Sequence, residues 1–413
     1  MAGRFWWGRR SQVASHVVVH NTLGLGAVSP FPLEREAKRA ALLSAVESMA
    51  DLVKAHAPTA EAGRTLTPEI IEALRRSGLL TLKLPRELGG AEADPIVQMD
   101  VIEAMALLDP ATAWCMFITS AITGSAAARV PDSAIAEMFA GGRFPMMAGS
   151  LKPNGTAVKV DGGYRVTGRW SWGSGVRHAD YVSALSFADE PATVVSAVVP
   201  IANVEIIDNW HVMGMKGTGS CDYVLDAVFV PDRFVSNLAR AQQLRGGALY
   251  RLGMPGFVVN EHAIFALALA RRAINELTSL AVEKARGYGQ GTTIAHRAVV
   301  QRLISEANLK LHACRLAIDE VVGRLFAAAE VAVPPPELQA EARAMAVFCT
   351  DTALDITAAA FRYAGGTAVY LDHVLQQCLR DLYAVQSHFV VHDSAYEQHG
   401  QILLGLSNQS SMQ

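Results

Sequence analysis

Three segments of the sequence carry side chains whose types and spacing could do chemistry. The first, residues 168–175, reads GRWSWGSG and holds Trp170, Trp172 and Ser174. Two tryptophans beside small polar residues could form a wall for a flat ring, with a hydroxyl and backbone amides at the edge of that ring. The alternative is a β-turn that is simply packed by aromatic side chains.

The second segment is glycine-rich. Residues 214–220 read GMKGTGS and include Thr218 and Ser220. Such a loop can present backbone N–H groups to a phosphate or to a ring carbonyl. The segment lacks the lysine–serine spacing of a P-loop, so an ordinary flexible connection is the alternative.

The third segment contains three histidines near the carboxyl end, His388, His392 and His399. His388 and His392 are four residues apart and would share one face of a helix, but a metal site needs a third ligand and usually a supporting carboxylate. A histidine that moves a proton in a buried pocket is therefore favoured over a metal ligand, and no metal site is predicted. For His399 the favoured interpretation is a purely structural role.

The sequence contains none of the common catalytic motifs, and its net charge is close to zero. It has no G-x-G-x-x-G after a strand, no P-loop, no H-E-x-x-H and no G-x-S-x-G, which argues against a Rossmann dehydrogenase, a zincin and a serine hydrolase. Lys and Arg total 36 against 39 for Asp and Glu, a net charge of −3, which argues against nucleic-acid and polybasic membrane partners. Five cysteines without a C-x-x-C pair predict reduced thiols in a cytoplasmic protein. The longest apolar runs are too short to predict a membrane span.

The elements that must position these segments fall into three zones. Residues 33–140 have helical periodicity, including a helix expected to stop at Pro58. Residues near 145–230 read as short strands, with a hairpin at Asp161-Gly162. Four long helical segments follow, at 257–286, 295–329, 336–363 and 371–387. The predicted fold is mainly α with a central β domain: a loose extension (1–30), a helical domain (31–143), an antiparallel β-barrel or sandwich (144–240) and a C-terminal four-helix bundle (241–413).

This three-zone order, together with several short motifs, resembles the acyl-CoA dehydrogenase superfamily over roughly residues 36–405. The motifs are LPRELGG at 84–90, DGGYRVTGRW at 161–170, SGVRHAD at 174–180, GMKGTGS at 214–220, FRYAGG at 361–366 and LRD at 379–381. They look most like the flavin-dependent monooxygenase branch. The stretch after LRD lacks the catalytic Glu-Gly of many dehydrogenases, and residues 149–157 replace their T-E-P-x-x-G-S-D flavin segment.

The resemblance implies an oxygenase component of a two-component hydroxylase. Such a protein takes reduced flavin (FMNH2 or FADH2) from a separate NAD(P)H-dependent reductase, adds O2 to form a C4a-hydroperoxyflavin, and hydroxylates a small aromatic or heteroaromatic substrate. A homotetramer is implied as well. The alternatives are an acyl-CoA dehydrogenase-type desaturase and a non-catalytic relative that acts as a partner protein.

The resemblance also implies roles for individual residues. His388 would be the catalytic histidine with His392 as its rival, and Ser174 would lie near flavin N5. The implied flavin contacts are Trp170, Trp172, Ser174, Gly175, Thr218, Ser220, Arg286, Gly365 and Gly366. Ser120 and Ser150 lie in segments that face the substrate in relatives.

Overall fold

The computed structural model describes residues 23–188, 193–240, 242–284 and 293–406, and it begins with a helical region. Three of its helices start at prolines in the first turn, behind capping side chains: Thr67, Asp94 and Asp109 each accept a backbone N–H. The helices are α1 (Arg35–Gly63), α2 (Pro68–Ser77), α3 (Pro95–Leu108), α4 (Pro110–Ala127) and α5 (Asp132–Met138).

Helix α1 differs from its prediction because it continues past Pro58 to Gly63. Proline removes one intrahelical hydrogen bond but leaves the backbone able to go on. The last turn is held by the burial of Ala60 and by Arg64, whose left-handed backbone caps the helix with an N–H directed at Ala60 O and Glu61 O.

The middle of the chain forms one eight-stranded sheet. Its strands are β1 (Met147–Gly149), β2 (Gly155–Val160), β3 (Gly163–Gly173), β4 (Tyr181–Ala188), β5 (Val194–Pro200), β6 (Glu205–Ile207), β7 (Cys221–Pro231) and β8 (Val235–Asn237). The order is β6-β7-β3-β2-β4-β5-β8, with β1 paired to β4. The predicted hairpin at Asp161-Gly162 joins β2 and β3, and Gly162 takes the positive φ of +71° that this turn needs. The sheet is mixed rather than purely antiparallel, because β4 pairs in parallel with both β1 and β2.

The carboxyl-terminal part is a helical bundle. Its helices are α6 (Val259–Glu283), α7 (Ala298–Val331), α8 (Pro336–Ala364), α9 (Val374–Gln386) and α10 (Ser394–Leu403), the last of which the sequence analysis missed. The stretch Pro336–Val369 is long and apolar enough to cross a membrane, but 56% of its most apolar window is buried inside the protein. That burial marks α8 as a core helix of the bundle.

The predicted loose extension falls largely outside the described residues, since the description starts at residue 23. Residues 23–30 are not loose. Leu23 is buried, its N–H donates to Gly142 O at 3.0 Å, and Gly24 N–H donates to Leu88 O at 3.2 Å. Residues 23–30 of the predicted extension are therefore already packed against the helical region. The other predicted domain boundaries stay predictions.

One large apolar core runs through all three regions. It contains side chains from α3 and α4, from the sheet and from every long bundle helix. Segments that are far apart in sequence are therefore fixed relative to one another where the three regions meet, close to Trp114 on α4.

Candidate active site

The end of β3 turns the side chain of Trp172 outward. The pairing of β3 with β7 shifts register between Trp170 and Gly173, and Trp172 has a φ of +65°. The Trp172 ring is 63% exposed, and its backbone O accepts the N–H of Ser174 at 2.9 Å. The bulge thus exposes an aromatic ring two residues before the buried Ser174.

Trp170 lies on the opposite side of this turn, inside the sheet. It is fully buried, its ring stacks on Tyr223 with centroids 5.5 Å apart, and Nε1–H donates to Leu185 O at 2.7 Å. One face of the Trp170 ring packs against Tyr223, and its N–H is bound to Leu185 O. Trp170 therefore offers no accessible surface to a flavin in this arrangement, and Trp172 is the exposed tryptophan; a flavin contact by either residue stays a prediction.

The glycine-rich loop is fixed against helix α9. A Cβ on Gly214 would lie 2.2 Å from Arg380 O, so only glycine fits there. The N–H of Met215 donates to the carboxylate of Asp381 at 2.5 Å. Burial raises the pKa of Asp381 to about 7, against the opposing effect of that N–H. The loop is held firmly rather than flexible.

Four side chains form a buried hydrogen-bonded chain beneath the loop. Trp114 Nε1–H donates to Ser174 Oγ at 2.9 Å, and Ser174 Oγ lies 2.8 Å from Ser220 Oγ. Ser220 Oγ lies 2.7 Å from Thr218 Oγ1, whose hydroxyl donates to Met215 O at 2.7 Å. Ser174, Thr218 and Ser220 were predicted from two separate segments, and the structure brings them together. Gly175 joins them through its N–H, which donates to Thr218 O at 2.9 Å.

His388 lies at the other edge of Trp114. Its ring stacks on His262, with centroids 4.5 Å apart and planes 30° apart, and meets Trp114 edge-on at 5.8 Å. Val390 N–H donates to His388 Nδ1 at 3.3 Å, so the neutral ring carries its proton on Nε2. Burial, helped by His262, holds the pKa of His388 well below its ordinary value. His388 is therefore a neutral imidazole at pH 7.

His392 lies outside this cluster. Its side chain is 60% exposed, with Nδ1 3.0 Å from the carboxylate of Asp393 and 3.1 Å from Ser394 Oγ. Of the two rival histidines, only His388 contacts the group around Trp114.

His262 is the site residue that the sequence analysis missed. It is fully buried on α6, Nδ1 donates to Val258 O at 2.9 Å, and Nε2 has no hydrogen-bond partner among the described residues. Burial lowers its pKa to about 4. One signal existed: a histidine and an acid, Glu261, interrupt a long apolar helix, where polar residues need a specific reason.

Glu261 forms a buried ion pair directly behind His262. Its carboxylate lies 2.9 Å from Lys83 Nζ, and both side chains are completely inaccessible. Lys83 also donates to Phe257 O and sits 4.1 Å above the Phe257 ring. Burial raises the pKa of Glu261 to about 7 despite the lysine. Lys83 and Glu261 therefore form a buried pair of opposite charge next to His262.

The other predicted residues differ in their exposure and in their distance from Trp114. Ser120 is fully buried, and its Oγ accepts the N–H of Lys83 at 2.8 Å, which places it behind the wall rather than on a substrate surface. Ser150 is half-buried near the start of the sheet. Gly365 has a φ of +68°, and a Cβ on Gly366 would meet no atom within 4 Å. Arg286 lies outside the described residues.

The residues around Trp114 fit a flavin ring. The exposed Trp172 can cover a flat face, and Ser174, two residues further on, offers a hydroxyl to the edge of such a ring. Gly365 and Gly366 lie apart from this group, beside Lys284 at the far end of α6, where Lys284 Nζ donates to Ala364 O at 3.1 Å. Within residues 23–188, 193–240, 242–284 and 293–406, no group of three potential ligands could hold a metal ion.

Comparisons with known proteins show the family to which the chain belongs. Residues 35–137 match the family model of the acyl-CoA dehydrogenase N-terminal domain, and residues 261–393 match that of the acyl-CoA dehydrogenase C-terminal domain. The chain is 30% identical over 389 residues to the pigment production hydroxylase of Rhodococcus sp. (strain ATCC 21145), covering 89% of this chain and 97% of that one.

Two further similarities concern flavin proteins. The chain is 28% identical over 360 residues to the flavin-dependent monooxygenase, oxygenase subunit HsaA, of Mycobacterium tuberculosis (strain ATCC 25618 / H37Rv), covering 84% of this chain and 91% of that one. The solved structure of XiaF from Streptomyces sp., in complex with FADH2 and glycerol, superposes with a TM-score of 0.81 at 22% identity, covering 90% of this chain and 97% of that one.

Proposed function

Because the chain belongs to the acyl-CoA dehydrogenase superfamily, in its flavin-dependent monooxygenase branch, we propose that it is the oxygenase component of a two-component hydroxylase. The observation that carries this proposal is the convergence of Ser174 and His388 on Trp114, from regions more than 200 residues apart. Reduced flavin and O2 are the cosubstrates, and a separate NAD(P)H-dependent reductase supplies the flavin.

The bound flavin supplies the oxygen chemistry: reduced flavin, O2 and substrate R–H give R–OH, oxidised flavin and water, whereas failed transfer gives oxidised flavin and hydrogen peroxide. The protein must position both partners and keep water out. Trp172 would cover one face of the ring and Ser174 would meet its edge. Gly365 and Gly366 lie at the far end of α6, so with Arg286 they would contact the tail of a flavin bound by another copy of the chain.

We assign to His388 a hydrogen bond with the substrate or with the transferred oxygen. Its neutral ring carries a proton on Nε2, so this atom can donate a hydrogen bond to an oxygen of the substrate or of the transferred group. The aromatic surroundings of Trp114, against which the buried Phe117 and Phe265 pack edge-on with centroids 5.1 and 5.2 Å away, support an aromatic or heteroaromatic substrate. Ser150 remains a predicted substrate contact.

Assembly and location complete the proposal. Large apolar side chains remain exposed on α7 and α8, among them Leu309 (66%), Leu316 (57%) and Phe348 (51%). Such surfaces are typical of helices that pack against another copy, which supports a homotetramer. The five cysteines are all unpaired and buried, as suits a reducing cytoplasm.

The alternatives find less support in the site. A dehydrogenase needs a free carboxylate base, and Glu261, the acid beside His262, is buried against Lys83. A non-catalytic partner protein has no need to retain the buried hydroxyl chain together with a neutral His388.

The test starts with the purified chain and chemically reduced FMN or FAD under anaerobic conditions. Oxygenated buffer and a panel of phenols and indoles are then added, and hydroxylated product and hydrogen peroxide are both counted per O2 consumed. Product formation that depends on the protein supports the proposal. Quantitative peroxide with every substrate, together with reduction of bound oxidised flavin by an acyl-CoA, would establish the dehydrogenase instead.

A further inference from the structure

The hydrogen-bonded chain at Ser174 has two ends of fixed chemical character. The indole Nε1–H of Trp114 can only donate, and the carbonyl O of Met215 can only accept. Between them lie three hydroxyls, each with one proton to give. The direction of every bond in the chain can therefore be worked out from its ends.

The carbonyl end fixes the sequence of donors. The hydroxyl of Thr218 donates its proton to Met215 O. In the 2.7 Å contact between Thr218 and Ser220, Ser220 must therefore be the donor. Ser174 must then donate across its 2.8 Å contact to Ser220, and it accepts from Trp114 at 2.9 Å. All four protons are used in this direction.

Reversal would cost one hydrogen bond. If Thr218 donated to Ser220 and Ser220 donated to Ser174, the proton of Ser174 would have no acceptor within the chain. A donor without a partner in a residue that is only 6% exposed is unfavourable. The loop cannot easily move to relieve this, because Met215 N–H is bound to Asp381 at 2.5 Å.

We propose that this one-way chain makes Ser174 Oγ an acceptor-only contact, and that Trp114, Ser220 and Thr218 thereby select reduced flavin over oxidised flavin. Ser174 has one lone pair left after it accepts from Trp114. Reduced flavin carries a hydrogen on N5 and can donate to that lone pair. Oxidised flavin has a lone pair on N5 instead, so two acceptors would face each other. The inference rests on the proposed function and assigns positioning roles to residues behind Ser174.

Equilibrium binding of both redox forms to the apoprotein tests the inference. Dissociation constants for oxidised FMN and, under anaerobic conditions, for reduced FMN are measured for the wild type and for Ser220→Ala. The variant frees the Ser174 proton to point at N5 of the oxidised form. We expect the preference for reduced flavin to fall about tenfold, the worth of one hydrogen bond, mainly through tighter binding of oxidised flavin.

A matched control is available in the sheet. Ser196 and Ser183 form a hydroxyl pair of similar length, 3.0 Å, on β5 and β4. Ser196→Ala removes the same atom away from the chain at Ser174 and should leave the ratio of the two dissociation constants unchanged.

A second variant guards against a folding defect in the first. Thr218→Val removes the acceptor of Ser220, lets Ser220 turn towards Ser174, and should lower the preference in the same direction. In the apoprotein, both variants should also shift the indole N–H resonance of Trp114, identified with Trp114→Phe, because its acceptor changes partners.

The outcomes separate this inference from the proposed function. If the wild type binds reduced flavin and both variants keep its preference within about twofold, the one-way chain does not select the redox state, and the inference is overturned while the function stands. If the wild type binds no reduced flavin, both fail.

Discussion

Acid should destabilise the protein through His262, by an amount that can be calculated. The pKa of this buried ring is lowered from 6.5 to about 4, so the unfolded chain takes up the proton first as the pH falls. The stabilising contribution is therefore present above about pH 6.5 and is lost as the pH falls towards 4. Between pH 7 and pH 5 the loss is about 2 kcal/mol.

The perturbation that isolates this contribution is His262→Phe. Phenylalanine keeps an aromatic ring in contact with Trp114 and His388 but cannot titrate. The free energy of unfolding is measured in urea at pH 7 and pH 5 for both proteins, under conditions where the transition is two-state. Relative to the wild type, the variant should gain about 2 kcal/mol on going from pH 7 to pH 5. Glu261 and Asp381, with pKa values raised to about 7, act in the opposite direction but are common to both proteins.

The control variant is His392→Phe, which removes a histidine whose side chain is 60% exposed. This variant makes the same substitution at an exposed histidine, so it controls for the loss of a histidine that is not buried. An identical pH dependence in wild type and His262→Phe would refute the reasoning, because it would mean that His262 is not held neutral by burial.

Three further predictions concern the site. His388→Ala should lower the rate of product formation by about 100-fold or more and raise the peroxide yield, with flavin affinity nearly unchanged; unaltered coupling of O2 use to product would exclude this role. Trp172→Ala should weaken flavin binding about tenfold in a titration and barely move Tm, since the ring is 63% exposed; an equal loss of Tm would indicate a structural role instead. Gly214→Ala should lower the free energy of unfolding by about 1–3 kcal/mol, because the new Cβ would lie 2.2 Å from Arg380 O. Gly63→Ala is the control, since its Cβ would meet no atom within 4 Å. Equal free energies of unfolding for the two variants would contradict the fixed loop.

The sequence predicted the parts of the fold that local chemistry determines. The hairpin at Asp161-Gly162 follows from turn chemistry, and the starts of α2 and α3 follow from a capping residue and a proline in the first turn. Pro58 misled the analysis because its effect on α1 is overridden by packing of the next turn. The parallel pairings of β4 could not be predicted, since strand neighbours are set by the whole sheet.

The two tryptophans show where periodicity fails at a site. In a regular strand, residues two apart face the same side, so Trp170 and Trp172 would form one wall. The bulge before Gly173 breaks this rule and sends Trp170 into the core and Trp172 outward. The positive φ of Trp172 is strained for a bulky residue, and no sequence pattern announces it.

His262 was missed for a different reason. In sequence it is one polar residue within an apolar helix, and only the packing of α6 against the segment after α9 gives it a partner. The stacking makes the two histidines share one environment: a proton on either ring would repel a proton on the other. Burial keeps His388 neutral and His262 adds to the effect, and neither could be read from a single segment of the chain.

The buried pair of Lys83 and Glu261 connects these observations to the reaction class. A free buried carboxylate beside His262 would attract a proton to that ring and could serve as a base for carbon acids. Lys83, at 2.9 Å, cancels the negative charge and occupies the carboxylate. The environment left around Trp114 is buried, with hydrogen-bond donors and acceptors of fixed direction. Such a site is poorly equipped to remove a proton from a thioester, and it is well suited to holding a reactive oxygen donor away from stray protons until a substrate arrives.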